Sequence, residues 1–270
     1  MEIISKVNPK IKKIAKLLKD GQLRQEENII IIDGQREIEE AIKNNWEIEE
    51  FFYCPNFINK KEEDKKFNVK TISSLAKKVF ELSEQAFNKI SYKKNPDGFL
   101  AIIKAKELKL DDIKIKKNPL ILVLESVEKP GNLGAIIRTA YASGVDLIIL
   151  NDQKTDIFSP NVIRSSTGFI FSMPLVLSSI NDTFKWLIKN KVQILSTSIC
   201  AKQDHFAVDF KKASAIIFGT EAFGLSPKWL EKETTQIRIP MISGVDSLNV
   251  SVSVGIIVYE AIRQRAKLKN

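Results

Sequence analysis

Five near-continuous apolar segments between Leu120 and Met241 constrain this chain more than any other feature: "LILVLESV", "DLIILND", "VQILSTSI", "SAIIFGTE" and "TQIRIPM". Strands without polar alternation belong where both faces are covered, and helical segments such as "GAIIRTAYASG" and "FKWLIKN" separate them. The pattern predicts an α/β fold with a mainly parallel sheet. Ligands of such sheets bind outside the carboxyl ends of the strands, so the loops there carry the functional question.

The first hundred residues show a shorter alternation. "NIIIIDG" reads as a strand, "REIEEAIKNN" as a helix, "IEEFFYCP" as a strand, "SLAKKVFELSE" as a helix and "GFLAIIKA" as a strand, which together suggest a small α/β domain. The charged stretch "KELKLDDIKIKKNP" then breaks the pattern before Pro119. We expect a domain over residues 1–104, a linker over 105–117 and a second domain over 118–270. A chain of 270 residues with 44% hydrophobic content can build two such cores.

A formal net charge of +9 suits a polyanionic partner, although lysine-rich composition also follows from genome bias. Position says more than the sum. In "NPKIKKIAKLLKD", Ile11, Ile14, Leu17 and Leu18 recur at helical spacing, and Lys10, Lys12, Lys13, Lys16 and Lys19 take the remaining face. That face is either merely solvated or a phosphate-contacting surface, to which Arg164 would add. No apolar run is long enough for a membrane span, and the first twenty residues lack the apolar core of a secretory signal, so a cytoplasmic protein is expected. Cys54 and Cys200 lie far apart and His205 is the single histidine, which makes no metal-ligand spacing. Both cysteines are expected as small buried apolar residues, and His205 as an exposed loop residue.

Three loops at strand ends are unusual. "EKPGNLGAIIRTA" carries Asn132 and Arg138; "FGTEAFGLS" carries Gly219 and Glu221; "IPMISGVDSLNVSVSVG" sets Ser243, Asp246, Ser247 and Asn249 between apolar segments. Glycine at a strand end lets backbone approach a ligand closely. No GxGxxG follows the first strand and no GxxxxGK[ST] occurs, which excludes the common dinucleotide and P-loop sites. "GNLG" matches the GxxG of KH domains, but it follows a buried strand instead of joining two helices. Singly the residues have ordinary explanations: Asn132 as a helix N-cap, Arg138 as a solvated helix residue, Glu221 as a surface acid, Asn249 as the cap of a final helix from Val250 to Lys267. Their common place at strand ends turns separate turns into one candidate site.

"NLGAIIR", "FGTEAFGLS" and "IPMISGVDSLNVSVSVGIIVYEAIRQR", with "SPNVIRSSTGFIFSMP" between them, resemble in order and spacing the signature motifs of the SpoU (TrmH) family of RNA 2′-O-ribose methyltransferases. The resemblance covers roughly residues 118–267. The preceding half is less specifically similar to the family's ribosomal-protein-like substrate-binding domain, with Asp33 where glutamate is more usual. The resemblance implies a C-terminal domain with a deep trefoil knot, a homodimer, and S-adenosyl-L-methionine as cofactor with no metal. Cofactor contacts would fall to Gly219, Ile239 and Leu248, with Met241, Ser196 and Thr197 nearby. Arg138, Asn132, Glu221, Ser247 and Asn249 would serve the reaction. The substrate implied is RNA, ribosomal in preference to transfer RNA; a catalytically silent RNA-binding assembly protein is the alternative from another class.

Overall fold

The computed structural model describes residues 2–4, 7–58, 66–220, 224–231 and 233–266, which divide into two compact units. The first comprises Met1–Lys106 together with Asp156–Ser172, and the second comprises Glu107–Thr155 and Met173–Asn270.

The first unit runs β1 (Glu2–Ile4), α1 (Pro9–Leu17), α2 (Gly21–Glu26), β2 (Ile29–Asp33), α3 (Gln35–Lys43), β3 (Ile48–Tyr53), α4 (Val69–Leu75), β4 (Ala76–Leu82), α5 (Glu84–Ile90) and β5 (Phe99–Lys104). Its sheet has the order β1-β4-β3-β5-β2, with β1, β4 and β3 parallel and β5 antiparallel to both neighbours. Helix α1 forms because Asn8 caps it, accepting from Lys10 N at 2.8 Å, and Pro9 presets its first turn. Its stripe of Ile11, Ile14 and Leu17 joins Phe87 and Ile90 of α5 over Ile31, Phe52, Phe80 and Leu100 of the sheet.

"SLAKKVFELSE", expected as one helix, is instead split: α4 ends at Leu75 and β4 begins at Ala76. Tertiary pairing decides it. β4 is an interior strand held by β1 and β3, its Phe80 and Leu82 are buried, and its Lys77 reaches back to Glu49 at 2.7 Å beside Glu47.

The second unit contains β6 (Leu120–Glu125), α6 (Pro130–Ser143) and β7 (Leu147–Asn151). The chain then contributes helix α7 (Pro160–Ser165) to the first unit and returns for β8 (Leu175–Ser178), α8 (Ile180–Lys189), β9 (Gln193–Thr197), β10 (Gln203–Asp204), β11 (Ser214–Phe218), β12 (Thr234–Arg238) and α9 (Val250–Ala266). Its seven strands are all parallel in the order β10-β12-β9-β11-β6-β7-β8, as the apolar runs require. Ile121, Val123, Ile149, Ile194, Ala215 and Ile217 form the core with Phe184, Leu187 and Trp229.

Two boundaries depart from the expected ones. Residues 105–117 are not a bare linker, because Leu110, Ile113 and Ile115 pack against the core of the second unit. Residues 156–172, expected with the second unit, fold into the first. There the buried Arg24 side chain holds both Leu17 O and the Asp156 carboxylate. At the other end Trp46 Nε1 donates to Phe171 O at 3.0 Å, and Asn44 Nδ2 donates to Ser172 Oγ at 2.7 Å. These are long-range polar anchors, and no local periodicity encodes them.

Candidate active site

At the carboxyl edge of the second unit's sheet lies a cavity of about 740 Å³. Its walls are the end of β9 (Thr197, Ser198, Cys200), the loop after β11 (Phe218, Gly219, Thr220, Gly224, Leu225), the loop after β12 (Ile239, Met241, Asp246, Ser247, Leu248, Asn249) and the first turns of α9 (Val250, Ser253, Ile257). Parallel strands put all these chain turns at one end, so residues far apart in sequence meet there.

Gly219 explains its own identity. A Cβ built on it would stand 2.3 Å from the backbone C and O of Gly224 and 2.6 Å from Leu225 N. The approach is fixed by a closure of two hydrogen bonds, Thr220 N to Gly224 O at 2.9 Å and Gly224 N to Thr220 O at 3.2 Å, with Gly224 at φ +69°. Gly219 is therefore required by the closure of the loop on itself, and Gly219 and Gly224 bring no side chain to this part of the cavity wall. Glu221 lies outside the described residues.

Asn249 stands immediately before α9 and acts as its cap: Oδ1 accepts from Ser251 N at 2.9 Å and Ser251 Oγ at 2.7 Å. Its Nδ2 donates to Asn132 Oδ1 at 3.2 Å. Capping and site placement are thus one arrangement, which joins the first and third sequence loops through packed helices α6 and α9. Asn132 itself is no N-cap, because α6 already begins at Pro130 with Lys129 in that position. The "GNLG" stretch accordingly sits inside the first turns of a helix that follows a strand, which is not a KH loop.

Of the expected cofactor residues, Gly219, Ile239, Leu248, Met241 and Thr197 line the cavity, and of the expected reaction residues so do Ser247 and Asn249. Ser196 does not. It is fully buried with its Oγ donating to Trp229 O at 2.5 Å, so its hydroxyl ties β9 to the turn Pro227–Leu230 that precedes β12 instead of meeting a ligand. Arg138 is exposed on α6 and is not among the cavity-lining residues of its own chain. Six residues beyond Asn132, it lies about 9 Å along the helix and well around its circumference.

In the first unit, Lys12, Lys13 and Lys16 are exposed on α1 and Arg164 on α7. Lys10 departs from the expected basic face: it is half-buried, paired with Glu50 at 2.5 Å and placed 4.3 Å from the centroid of Phe80. The expected surroundings of His205 and Cys200 are reversed. His205 is buried with Nδ1 3.2 Å from Arg238 O, whereas Cys200 is exposed at the cavity wall; Cys54 is buried as expected. Sequence reasoning missed Thr220, Ser253 and Ile257 as lining residues. The signal was present for two of them, since 253 and 257 repeat the face of Asn249 at helical spacing. Among the described residues no cluster of three or more His, Cys, Asp or Glu side chains is placed to hold a metal ion, and no helix is long and apolar enough to cross a membrane.

A parallel α/β unit with a glycine-walled cavity at its carboxyl edge, joined to a smaller α/β unit, defines a two-unit protein of the ligand-binding α/β class. The chain belongs to the SpoU rRNA methylase family, whose model matches residues 119–259, and residues 8–101 match the MRM3-like substrate binding domain. It is 28% identical over 258 residues to the 23S rRNA (guanosine(2553)-2′-O)-methyltransferase RlmP of Bacillus subtilis, covering 96% of this chain and 98% of that one. Among solved structures it resembles an RNA 2′-O ribose methyltransferase (TM-score 0.83, 35% identity, 98% of this chain and 100% of the other). It also resembles an AdoMet-bound rRNA methyltransferase from Sinorhizobium meliloti (TM-score 0.87, 28% identity, 97% of each chain).

Proposed function

We propose that this protein is an S-adenosyl-L-methionine-dependent methyltransferase that modifies a ribose 2′-hydroxyl of large-subunit ribosomal RNA in the cytoplasm. The observation that carries the reading is the cavity built from the loops after β9, β11 and β12, with the Cβ-free wall at Gly219 and the Asn249–Asn132 bond at its edge. That cavity fits the cofactor: it has the volume for a drug-sized ligand, main-chain groups at Gly219, and apolar surface from Ile239, Met241 and Leu248. When bound, S-adenosyl-L-methionine supplies an electrophilic methyl group on a sulfonium sulfur.

The chain's own residues then hold the acceptor. Asn249, fixed by the helix it caps and by Asn132, presents an amide that orients a hydroxyl, and Ser247 and Glu221 complete the positioning. Arg138 places positive charge beside the oxygen as it becomes anionic; its guanidinium holds its own proton too firmly to serve readily as the base, so the proton passes to a phosphate or to solvent. Ribose recognition of this kind selects RNA over DNA. Lys12, Lys13, Lys16 and Arg164 supply phosphate contacts on the first unit.

Arg138 reaches a site in the homodimer. Val252, Ile256 and Tyr259 recur on one exposed face of α9, and Tyr141 is exposed on α6 one turn beyond Arg138. Tyr141 and Arg138 share a helix face, and a second copy seated there would bring each Arg138 toward its partner's cavity.

The test is incubation of the full chain with methyl-labelled cofactor and ribosomal RNA, with mapping of 2′-O-methyl groups, beside calorimetry of cofactor binding after chelator treatment. Cofactor binding without RNA methylation would reduce the protein to a silent RNA-binding role, and strict metal dependence would overturn the metal-free site. Mixing inactive Arg138→Ala and Asn249→Ala chains should restore about a quarter of the activity if sites are shared across the dimer, and none if each chain serves itself.

A further inference from the structure

The exposed turn Ser91–Gly98, "SYKKNPDG", is held more firmly than an exposed turn requires. One oxygen of Asp33, Oδ2, accepts from Ser91 Oγ at 2.8 Å, Tyr92 N at 2.6 Å and Lys93 N at 3.0 Å. The carboxylate is only 7% exposed, and its other oxygen is buried without a hydrogen-bond partner. Lys93 Nζ closes the turn from the far side on Asp97 at 2.9 Å and Glu37 at 3.4 Å, and Asp97 accepts from Gln35 N at 3.2 Å. At the end of the turn Gly98 has φ +85°, and a Cβ there would meet Cys54 O at 2.8 Å.

This network is expensive. A desolvated carboxylate with one unpaired oxygen lowers stability, and such groups persist where the conformation they enforce is used. What the turn enforces is the display of Tyr92, a residue 44% exposed, with Lys94 and Asn95 also exposed beside it in the chain. A backbone already held in place loses little entropy when the side chain it carries is engaged, and every nucleobase has a π-face to set against an aromatic ring.

We propose that Tyr92 is a stacking platform for an unpaired base of the RNA substrate, with Lys94 beside it for the adjoining phosphate and Asp33 as the positioning residue that holds the turn. The site rests on the reading of the chain as an RNA-modifying enzyme and gives its first unit a specific contact. It favours single-stranded or looped RNA over continuous duplex, because stacked bases in a helix have no free face to offer.

The test uses the full chain and a short oligoadenylate carrying the fluorescent base 2-aminopurine, whose emission is quenched on stacking. Tyr92→Ala should abolish the quenching and weaken binding about tenfold, Tyr92→Phe should behave as the unaltered chain, and Tyr92→Leu should resemble Tyr92→Ala. In steady-state methylation of ribosomal RNA, Tyr92→Ala should raise KM for RNA with kcat and cofactor affinity unchanged. Asp33→Ala should weaken the probe as Tyr92→Ala does although the ring remains, and Asp33→Asn, which keeps an oxygen for the three donors, should restore it. Unchanged quenching and affinity in Tyr92→Ala would overturn the platform, as would equal loss in Tyr92→Phe; native affinity in Asp33→Ala would overturn the positioning role. Absent cofactor binding in the unaltered chain would instead strike at the methyltransferase reading and leave the stacking result standing by itself.

Discussion

Arg265, in the last turn of α9, spends its whole guanidinium on main-chain carbonyls: Nε donates to Phe210 O at 2.8 Å, Nη1 to Asn118 O at 2.9 Å, and Nη2 to Pro119 O at 3.1 Å and Lys212 O at 2.9 Å. These carbonyls precede β6 and β11, so one side chain ties the end of the final helix to the amino edge of the sheet. Replacing Arg265 by methionine keeps the apolar stem and removes the four bonds. Pro119 O keeps a donor in Ser214 N at 2.9 Å and Lys212 O keeps one in Ser214 Oγ at 2.7 Å, which leaves two carbonyls, those of Phe210 and Asn118, to find water at a half-buried rim. At a net 0.5–1.5 kcal/mol for each bond, discounted for that access, the loss should be about 2–4 kcal/mol. For a unit of this size the corresponding fall in Tm is about 5–12 °C. Arg265→Lys should recover less than half, because an ammonium cannot reach carbonyls diverging around a planar fork. Urea unfolding of the full chain, with cofactor binding measured at low temperature to show the site intact, checks both. A loss under about 0.5 kcal/mol in Arg265→Met would show that water serves the carbonyls equally well and that the clamp has no net worth.

Gly219→Ala should weaken S-adenosyl-L-methionine binding at least about tenfold, because the added methyl must displace the Gly224 backbone from 2.3 Å; calorimetry finding native affinity would detach that wall from the cofactor. Burial holds the Asp33 carboxyl above the ordinary range despite the hydrogen bonds from Ser91, Lys93 and Tyr92. Its raised folded pKa favours the neutral form, so its contribution is fully present below the unfolded value of 3.8 and is lost as pH rises through the folded value. Tm measured against pH should therefore fall less steeply across that window in Asp33→Asn than in the unaltered chain, and parallel curves would refute the linkage. Residues 1–104 alone should melt lower than the same segment joined to 156–172, since Val162, Ile163, Ile170 and Phe171 are buried within the first unit; equal melting curves would make that segment dispensable.

The second unit's sheet was legible because a strand buried on both faces advertises itself by composition alone. β4 was not: "AKKVFEL" alternates too weakly to separate strand from helix, and its Lys77 and Lys78 are tolerated only because β1 and β3 supply its hydrogen bonds from both sides. Residues 156–172 failed for a different reason. The stretch was readable only as part of the family pattern, and its membership of the first unit depends on Arg24 reaching Asp156 and Trp46 reaching Phe171 O, contacts between residues more than a hundred positions apart.

Site residues divide the same way. Gly219 and the 239–249 loop were readable because strand ends, glycine and a polar cluster are all local signals, and the parallel sheet gathers them without further instruction. Asn249 shows how a structural and a functional reading coexist: the cap fixes Oδ1 on Ser251, and this same constraint aims Nδ2 at Asn132. A side chain whose two ends are both assigned cannot rotate away, so the cap that stabilises α9 also limits where a ribose hydroxyl could be held. Among the described residues Arg138 has no such tether, and it stands outside the cavity lining, one turn from Tyr141 on an exposed helix face. Its motif position marked it for the site, and under the proposed dimer its reach would come from a second copy seated on the surface that Val252, Ile256 and Tyr259 present. Such a residue is legible as chemistry and illegible as geometry until the assembly is considered, which is why exchange of subunits between two inactive variants, more than any single substitution, discriminates its role.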